Sequence, residues 1–260
     1  MPSLTEHQSS KIVKMLLMGD SGAGKTGALT SLVKAGFKLR ILDMDNGLDS
    51  LATYVKRECP DKLANVEYCT LRDSYRASPV GPILDGPPKA FVTAINLLDK
   101  WKVGDKDLGV PASWGPECIL VLDSLTFFSD AAFDWATTFK PSKDPRQIYG
   151  EAQNAVEHVL ALLSGVSFNT NVIVIAHIKF LDMPDGTVRG YPTAVGKALS
   201  PTIPRYFNAT AMCRTSTGGK REIVTVSTAL VDLKNPASFK MTGVLPIETG
   251  LATFFQTLKG

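Results

Sequence analysis

The residues best suited to chemistry are Gly19-Asp20-Ser21-Gly22-Ala23-Gly24-Lys25-Thr26, which satisfy G-x-x-x-x-G-K-[ST] in full. Glycines at such places let the main chain wrap closely around phosphates. Successive N–H groups, backed by the start of a helix, then attract the negative charge. Lys25 is expected to reach the β- and γ-phosphates and the Thr26 hydroxyl to bind Mg2+, with Gly27 completing the nucleotide-contacting set. A coincidental glycine turn is the plainer alternative. The motif, however, follows the apolar run 12–18 and opens a helical stretch at 25–35, which is the context it requires.

A phosphate loop of this kind needs an acid to complete the metal site. Asp123 ends the apolar run Cys118-Ile119-Leu120-Val121-Leu122 and precedes Ser124, the form of a Walker B strand. Capping of the next helix is the alternative. At least two further strand candidates lie between Thr26 and Asp123. That suits ATPases with a strand inserted between the two Walker strands better than compact GTPases, and no N-K-x-D guanine signature is present. Hydrolysis also needs a carboxylate to orient water. Asp45 is the first candidate and Asp43 the second, both in Asp43-Met44-Asp45-Asn46-Gly47, which could otherwise be a solvated turn. His177 follows the run 172–176 and could hydrogen-bond the γ-phosphate.

These groups must be held by an α/β scaffold. Continuous apolar runs at 12–18, 38–43, 66–71, 118–123 and 172–176 suit parallel strands covered on both faces by helices. Helices are predicted at 25–35, 48–58, 125–139 and from 148 to about 163. Another opens after Pro87-Pro88, with Phe91, Ala94, Ile95, Leu98 and Trp101 on one face. Segments 103–117, 140–147 and 180–196 read as loops, and alternating residues at 207–213 and 222–228 suggest antiparallel strands. A polar tail over residues 1–11 and one ATPase domain over 12–260 is the simplest division.

Composition narrows the function classes. Hydrophobic residues make up 44% and charged residues 20%, as a soluble core-forming chain requires. The net charge of +3 permits a polyanionic partner without demanding one. Cys59, Cys69, Cys118 and Cys213 show no C-x-x-C spacing, so neither zinc nor a disulfide framework is expected, and a cytoplasmic setting fits. No apolar stretch approaches the roughly 20 residues of a membrane span.

In this order the residues resemble the RecA-like core ATPases, and among them the short phage RecA-like proteins of the single-strand annealing type. The stretch Ile41-Leu42-Asp43-Met44-Asp45-Asn46-Gly47-Leu48-Asp49 is similar to the family's catalytic-glutamate strand, with Asp45 at the catalytic position and Asp49 where an adenine-contacting aspartate sits. The family's adenine-stacking tyrosine would fall near Ala52, and Tyr54 could take its part. Val172-Ile173-Val174-Ile175-Ala176-His177 resembles the strand ending in a γ-phosphate-sensing glutamine, which His177 replaces. Lys234, before Asn235, resembles a finger reaching the nucleotide of the neighbouring subunit.

The resemblance further implies a ring or filament of identical subunits and two loops on single-stranded DNA. One would carry Lys140, Lys143 and Arg146, the other Lys179, Arg189, Tyr191 and Lys197. Cations would track phosphates while Tyr191 stacks on a base. The function implied is ATP-dependent annealing or strand exchange in DNA recombination, in the host cytoplasm if phage-encoded, with a single-strand-binding protein as a second partner. An assembly or switch ATPase acting on protein partners is the alternative. A small-molecule kinase fits less well, for want of an arginine-rich lid.

Overall fold

The computed structural model describes residues 11–260, so the polar tail lies outside the described residues apart from Lys11. β1 (Lys14–Gly19) leads through the phosphate loop into α1 (Lys25–Lys34), followed by β2 (Lys38–Asp43), α2 (Asp49–Glu58) and β3 (Val66–Thr70). β4 (Tyr75–Arg76) and β5 (Ile83–Leu84) form a small ribbon, and β6 (Trp101–Val103) with β7 (Lys106–Gly109) forms another after α3 (Ala90–Asp99). Next come β8 (Gly115–Asp123), α4 (Leu125–Phe139), α5 (Pro145–Ser164), β9 (Thr170–Asp182) and β10 (Val188–Pro192). The chain closes with β11 (Ala209–Thr215), β12 (Arg221–Val224), β13 (Val244–Pro246) and α6 (Ile247–Lys259).

The main sheet has the order β13-β12-β11-β1-β9-β8-β2-β3. Strands from β11 to β3 run parallel, while β12 and β13 add antiparallel pairings at one edge. β9 lies between the strands that carry the phosphate loop and Asp123, so the Walker strands are indeed separated. The inserted strand comes from later in the chain, not from the stretch between the two motifs.

Uninterrupted apolar runs within the central strands let alternate side chains build two cores. Leu16, Met18, Leu120, Leu122, Val172 and Val174 face α3, α4 and α5. Met15, Leu17, Ile119, Val121, Ile173 and Ile175 face α1, α2 and α6. In the second core Phe37 meets Phe255 edge-on at 5.3 Å. Each such large side chain contributes roughly 1.5–3 kcal/mol by burial. No helix among the described residues is long and apolar enough to cross a membrane.

Three predicted segments differ from expectation for local reasons. Trp101 does not extend α3: the helix stops at Asp99 and Trp101 starts β6, where it stays buried against Trp114 at 5.6 Å. The expected loop 103–117 therefore contains the β6–β7 turn and the beginning of β8. The basic loop 140–147 is shorter than expected, because Pro145 opens α5 and the Asp144 side chain accepts the Arg146 N–H. Arg146 thus belongs to the first turn of a helix. The segment 180–196 is mostly a hairpin, since β9 continues beyond the sheet and β10 pairs with it, Arg189 opposite Leu181 and Tyr191 opposite Lys179.

At the opposite edge from the phosphate loop, polar side chains lock the strand starts together. Asn171, fully buried, accepts the Val13 N–H at 3.0 Å and donates to the carbonyls of Pro116 (2.8 Å) and Cys118 (2.9 Å). It joins the starts of β1, β8 and β9. Replacing it with leucine strands three main-chain groups without partners, so Asn171→Leu is expected to lower stability by about 3 kcal/mol, read from the midpoint of urea unfolding at unchanged m-value.

Candidate functional site

Parallel pairing places strand ends at one edge. Gly19 is level with His177, Asp43 with Asp123, and Asp123 with Ile175, so chain segments distant in sequence end side by side. Gly24 takes the left-handed conformation (φ 93°) that turns the loop into α1. Lys25 is buried and donates to the carbonyls of Gly19 (2.9 Å) and Asp20 (2.8 Å), folding back across the loop. Burial lowers its pKa, and the nearby Asp123 and Asp45 oppose that shift.

The Thr26 hydroxyl donates to Asp123 Oδ2 at 2.8 Å. Asp123 is 1% exposed, and burial, helped by the charge of Asp45, raises its pKa to about 7. A buried carboxylate joined to a hydroxyl, and disfavoured as an anion, is a fitting partner for a small hard cation. No group of three or more His, Cys, Asp or Glu side chains suited to a metal occurs among the described residues. Mg2+ at Thr26 and Asp123 would therefore draw its remaining ligands from phosphate and water, as Mg2+ at phosphate sites usually does.

The two aspartates of the β2 turn have different surroundings. Asp43, also 1% exposed, accepts from the Gly47 N–H (3.2 Å) and the Thr70 hydroxyl (2.7 Å). It builds the turn. Asp45 lines the cleft instead, and its buried Oδ1 has no partner. Burial, with Asp43 adding repulsion, raises the Asp45 pKa. Of the two, only Asp45 lines the cleft.

A cleft of about 240 Å³ joins these groups: Ser21, Gly22, Gly24, Lys25, Thr26 and Gly27 on one side, Asp45, Asp123 and His177 on the others. His177 is half-buried, and burial followed by the Lys25 charge lowers its pKa, favouring a neutral ring. The Thr126 hydroxyl accepts its main-chain N–H at 3.1 Å and donates to the Thr193 carbonyl at 3.2 Å. Gly27 has a packing role: a Cβ there would lie 2.9 Å from the Tyr54 ring, which also lines the cleft.

Several of the residues singled out have side chains outside this cleft. The Asp20 side chain is exposed, Ala23 is buried away from the cleft, and Asp49 is exposed on the first turn of α2, where Ser50 and Tyr54 line the cleft instead. Lys234 is not at this chain's phosphate loop. Its ammonium donates to the carbonyls of Pro204 (2.7 Å) and Phe207 (3.3 Å), and with Arg189 and Tyr191 it lines a separate cavity of about 220 Å³. Among the basic residues, Lys140, Lys143 and Lys197 are exposed, whereas Arg146 pairs with Asp144 and Arg189 with Asp232. Lys179 donates to the Gly196 carbonyl at 3.3 Å. Tyr191 is half-buried, its hydroxyl against Met183, while Phe180 is the exposed aromatic of the hairpin.

The structure adds residues that no spacing rule connects to the loop. Arg221, at the start of β12, lines the phosphate cleft and also a larger neighbouring cleft of about 900 Å³. Gly24, Tyr54, Arg57, Pro246 and Ile247 share that second cleft.

A family described as an AAA domain matches residues 11–237. No curated protein matches the chain. Among solved structures, an ATPase from the type III secretion system of pathogenic bacteria is 13% identical, with a TM-score of 0.47 over 78% of this chain and 52% of that one. The chain thus spans about half the length of that protein.

Because metal ligation requires the Asp123 anion, binding of MgATP should release a proton near neutrality and weaken as pH falls below about 7. The sign for the metal-free protein is consistent: its carboxyl holds a proton the unfolded chain has lost, so this group destabilises the fold as pH rises from about 4 to about 7. Calorimetry of MgATP binding in buffers of different ionisation enthalpy measures the released proton. Lys25→Ala should abolish the binding heat.

Proposed function

This chain belongs to the AAA domain family of ATPases, and from that premise we propose that it binds single-stranded DNA under the control of ATP and promotes annealing or strand exchange. ATP and Mg2+ are its cofactors. The observation that carries the proposal is the course of β9. One strand runs from the central sheet, past His177 level with Gly19, into a hairpin bearing Lys179, Phe180, Arg189 and Tyr191. A change at the γ-phosphate therefore has a stiff connection to a basic, aromatic-bearing projection.

In this reading main-chain N–H groups of Ser21 to Thr26 cradle the phosphates and Lys25 turns from its loop carbonyls to the γ-phosphate. The Thr26 hydroxyl and the Asp123 carboxylate would hold Mg2+, which would supply neutralisation of the phosphate charge. Asp45, with an unpartnered buried oxygen and a raised pKa, takes a hydrogen bond from the attacking water. Neutral His177 donates to the γ-phosphate. The base and ribose enter the larger cleft, between Tyr54 and Ile247 with Arg221 at the phosphate end.

Lys234, remote from its own loop, would complete a neighbouring subunit's site in a homo-oligomer, exchanging its carbonyl partners for phosphate. Exposed Lys140, Lys143 and Lys197, with Lys179, Arg146 and Arg189, would track the DNA backbone, and Phe180 joins Tyr191 as a stacking surface. A second reading, an assembly ATPase acting on protein partners, draws support from the ion pairs that occupy Arg146 and Arg189.

Asp45→Asn is expected to lower kcat about 10²-fold with little change in KM for MgATP. Single-stranded oligonucleotide should raise ATPase activity and shift in an ATP-dependent manner on a gel. Alanine at Lys140, Lys179 and Lys197 should weaken that binding and make its logarithmic salt dependence shallower, by a slope of about one for each DNA phosphate that is no longer neutralised. Unaltered DNA affinity in the triple variant, or no binding by the parent protein, favours the protein-partner reading.

A further inference from the structure

Arg72 has no part in the chemistry above, yet it touches both halves of it. It sits just after β3 with its side chain exposed, and Nη1 donates to the Asp45 main-chain carbonyl at 3.2 Å. The same guanidinium lies over the Phe127 ring, 5.0 Å from its centre. Phe127, in the first turn of α4, meets the His177 ring edge-on at 6.2 Å with the planes at 77°. One cation therefore bridges the turn that presents Asp45 and the aromatic surface on which His177 rests. Four separately positioned elements meet there: the turn after β2, the segment after β3, the start of α4, and β9.

The geometry suits a brace rather than a fold-stabilising contact. Arg72 is exposed, where a polar contact contributes little to the stability of the fold. Its main-chain acceptor is at the residue proposed as base, so withdrawing the bond removes the restraint on that residue itself in a turn otherwise held at Asp43, Met44 and Gly47. Its charge also favours the Asp45 anion. The stack on Phe127 limits how far the His177 ring can tilt, because aromatic edge contacts are directional.

We infer that Arg72 is a positioning residue for ATP hydrolysis, holding Asp45 through its carbonyl and His177 through Phe127 in one mutual arrangement. The inference rests on the roles given above to Asp45 and His177. Hydrolysis is sensitive to misplacement of about 1 Å, whereas nucleotide binding, made by the loop amides and Lys25, is not touched by Arg72. The same brace reaches the base of the β9–β10 hairpin, where the Thr193 N–H donates to the His177 carbonyl at 2.7 Å.

The test is steady-state ATPase kinetics, with melting temperatures, for Arg72→Gln, Arg72→Lys, Phe127→Leu, the double variant Arg72→Gln/Phe127→Leu, and Asp45→Asn. Arg72→Gln should lower kcat about tenfold while KM for MgATP and the melting temperature stay near those of the parent. Arg72→Lys, which keeps a cation on the ring and a donor for the carbonyl, should recover most of the loss. The double variant should be little slower than the worse single one, since both remove the same brace. Parent-like kcat in Arg72→Gln, a loss that appears only with a fallen melting temperature, or a lysine variant no better than glutamine would overturn the inference. If Asp45→Asn turns over normally, the reading of Asp45 as base falls by itself; a dead Asp45→Asn beside a fully active Arg72→Gln removes only the brace.

Discussion

The hydrogen bond from Thr26 to the buried carboxylate of Asp123 is the constraint on which the site depends. It links the phosphate loop to a strand that is not its neighbour, since β9 lies between β1 and β8. The bond can form only because the parallel register brings Gly19, Asp123 and His177 to one edge. Three aspartates, Asp43, Asp45 and Asp123, gather there with Lys25, and burial alone would make such a group of anions unfavourable. That cost is answered in different ways. Asp43 is satisfied by Gly47 and Thr70, Asp123 by Thr26 and a raised pKa, and Asp45 keeps a buried oxygen without a partner. In the function proposed above, a cation and a water would complete such a site.

The second organising feature is the length of β9. A buried strand normally ends where its neighbours end, and β1 and β8 both stop near the phosphate edge. β9 continues to Asp182 because β10 supplies hydrogen bonds on one side. The result is one continuous strand with its middle at the phosphate-loop edge and its end exposed. Thr126 secures the middle, holding both the His177 N–H and the Thr193 carbonyl.

The glycine-rich loop between strand and helix, the aspartate ending a buried strand and the two-sided parallel sheet were legible in the residues because each follows from a local rule. A glycine-spaced lysine after an apolar run, an aspartate ending another, and strands without alternation need no knowledge of the rest of the chain. The sequence ranked Asp45 before Asp43 as the water-orienting carboxylate, but it could not show their surroundings: the hydrogen bonds that hold Asp43 in the turn and leave Asp45 lining the cleft are tertiary. Loop assignments were weaker. In residues 180–196, Pro184 and Gly186 fall at the hairpin turn, but Gly190 and Pro192 lie within β10 itself, where pairing with β9 overrode composition. Pro145 moved Arg146 into a helix by a rule available in the sequence, proline at the first helical position after an aspartate.

By itself the sequence determined which atoms could hold a triphosphate and the layers that would carry them, because phosphate binding by main-chain amides and burial of apolar runs are short-range requirements. Only the tertiary structure decided what surrounds those atoms. It brought Arg221 from the antiparallel edge to the cleft, set Tyr54 against Gly27, sent Lys234 to a different cavity, and laid Arg72 across Asp45 and Phe127. Each of these depends on strand order and register, which join residues far apart in the chain through a sheet whose pairings no single segment encodes.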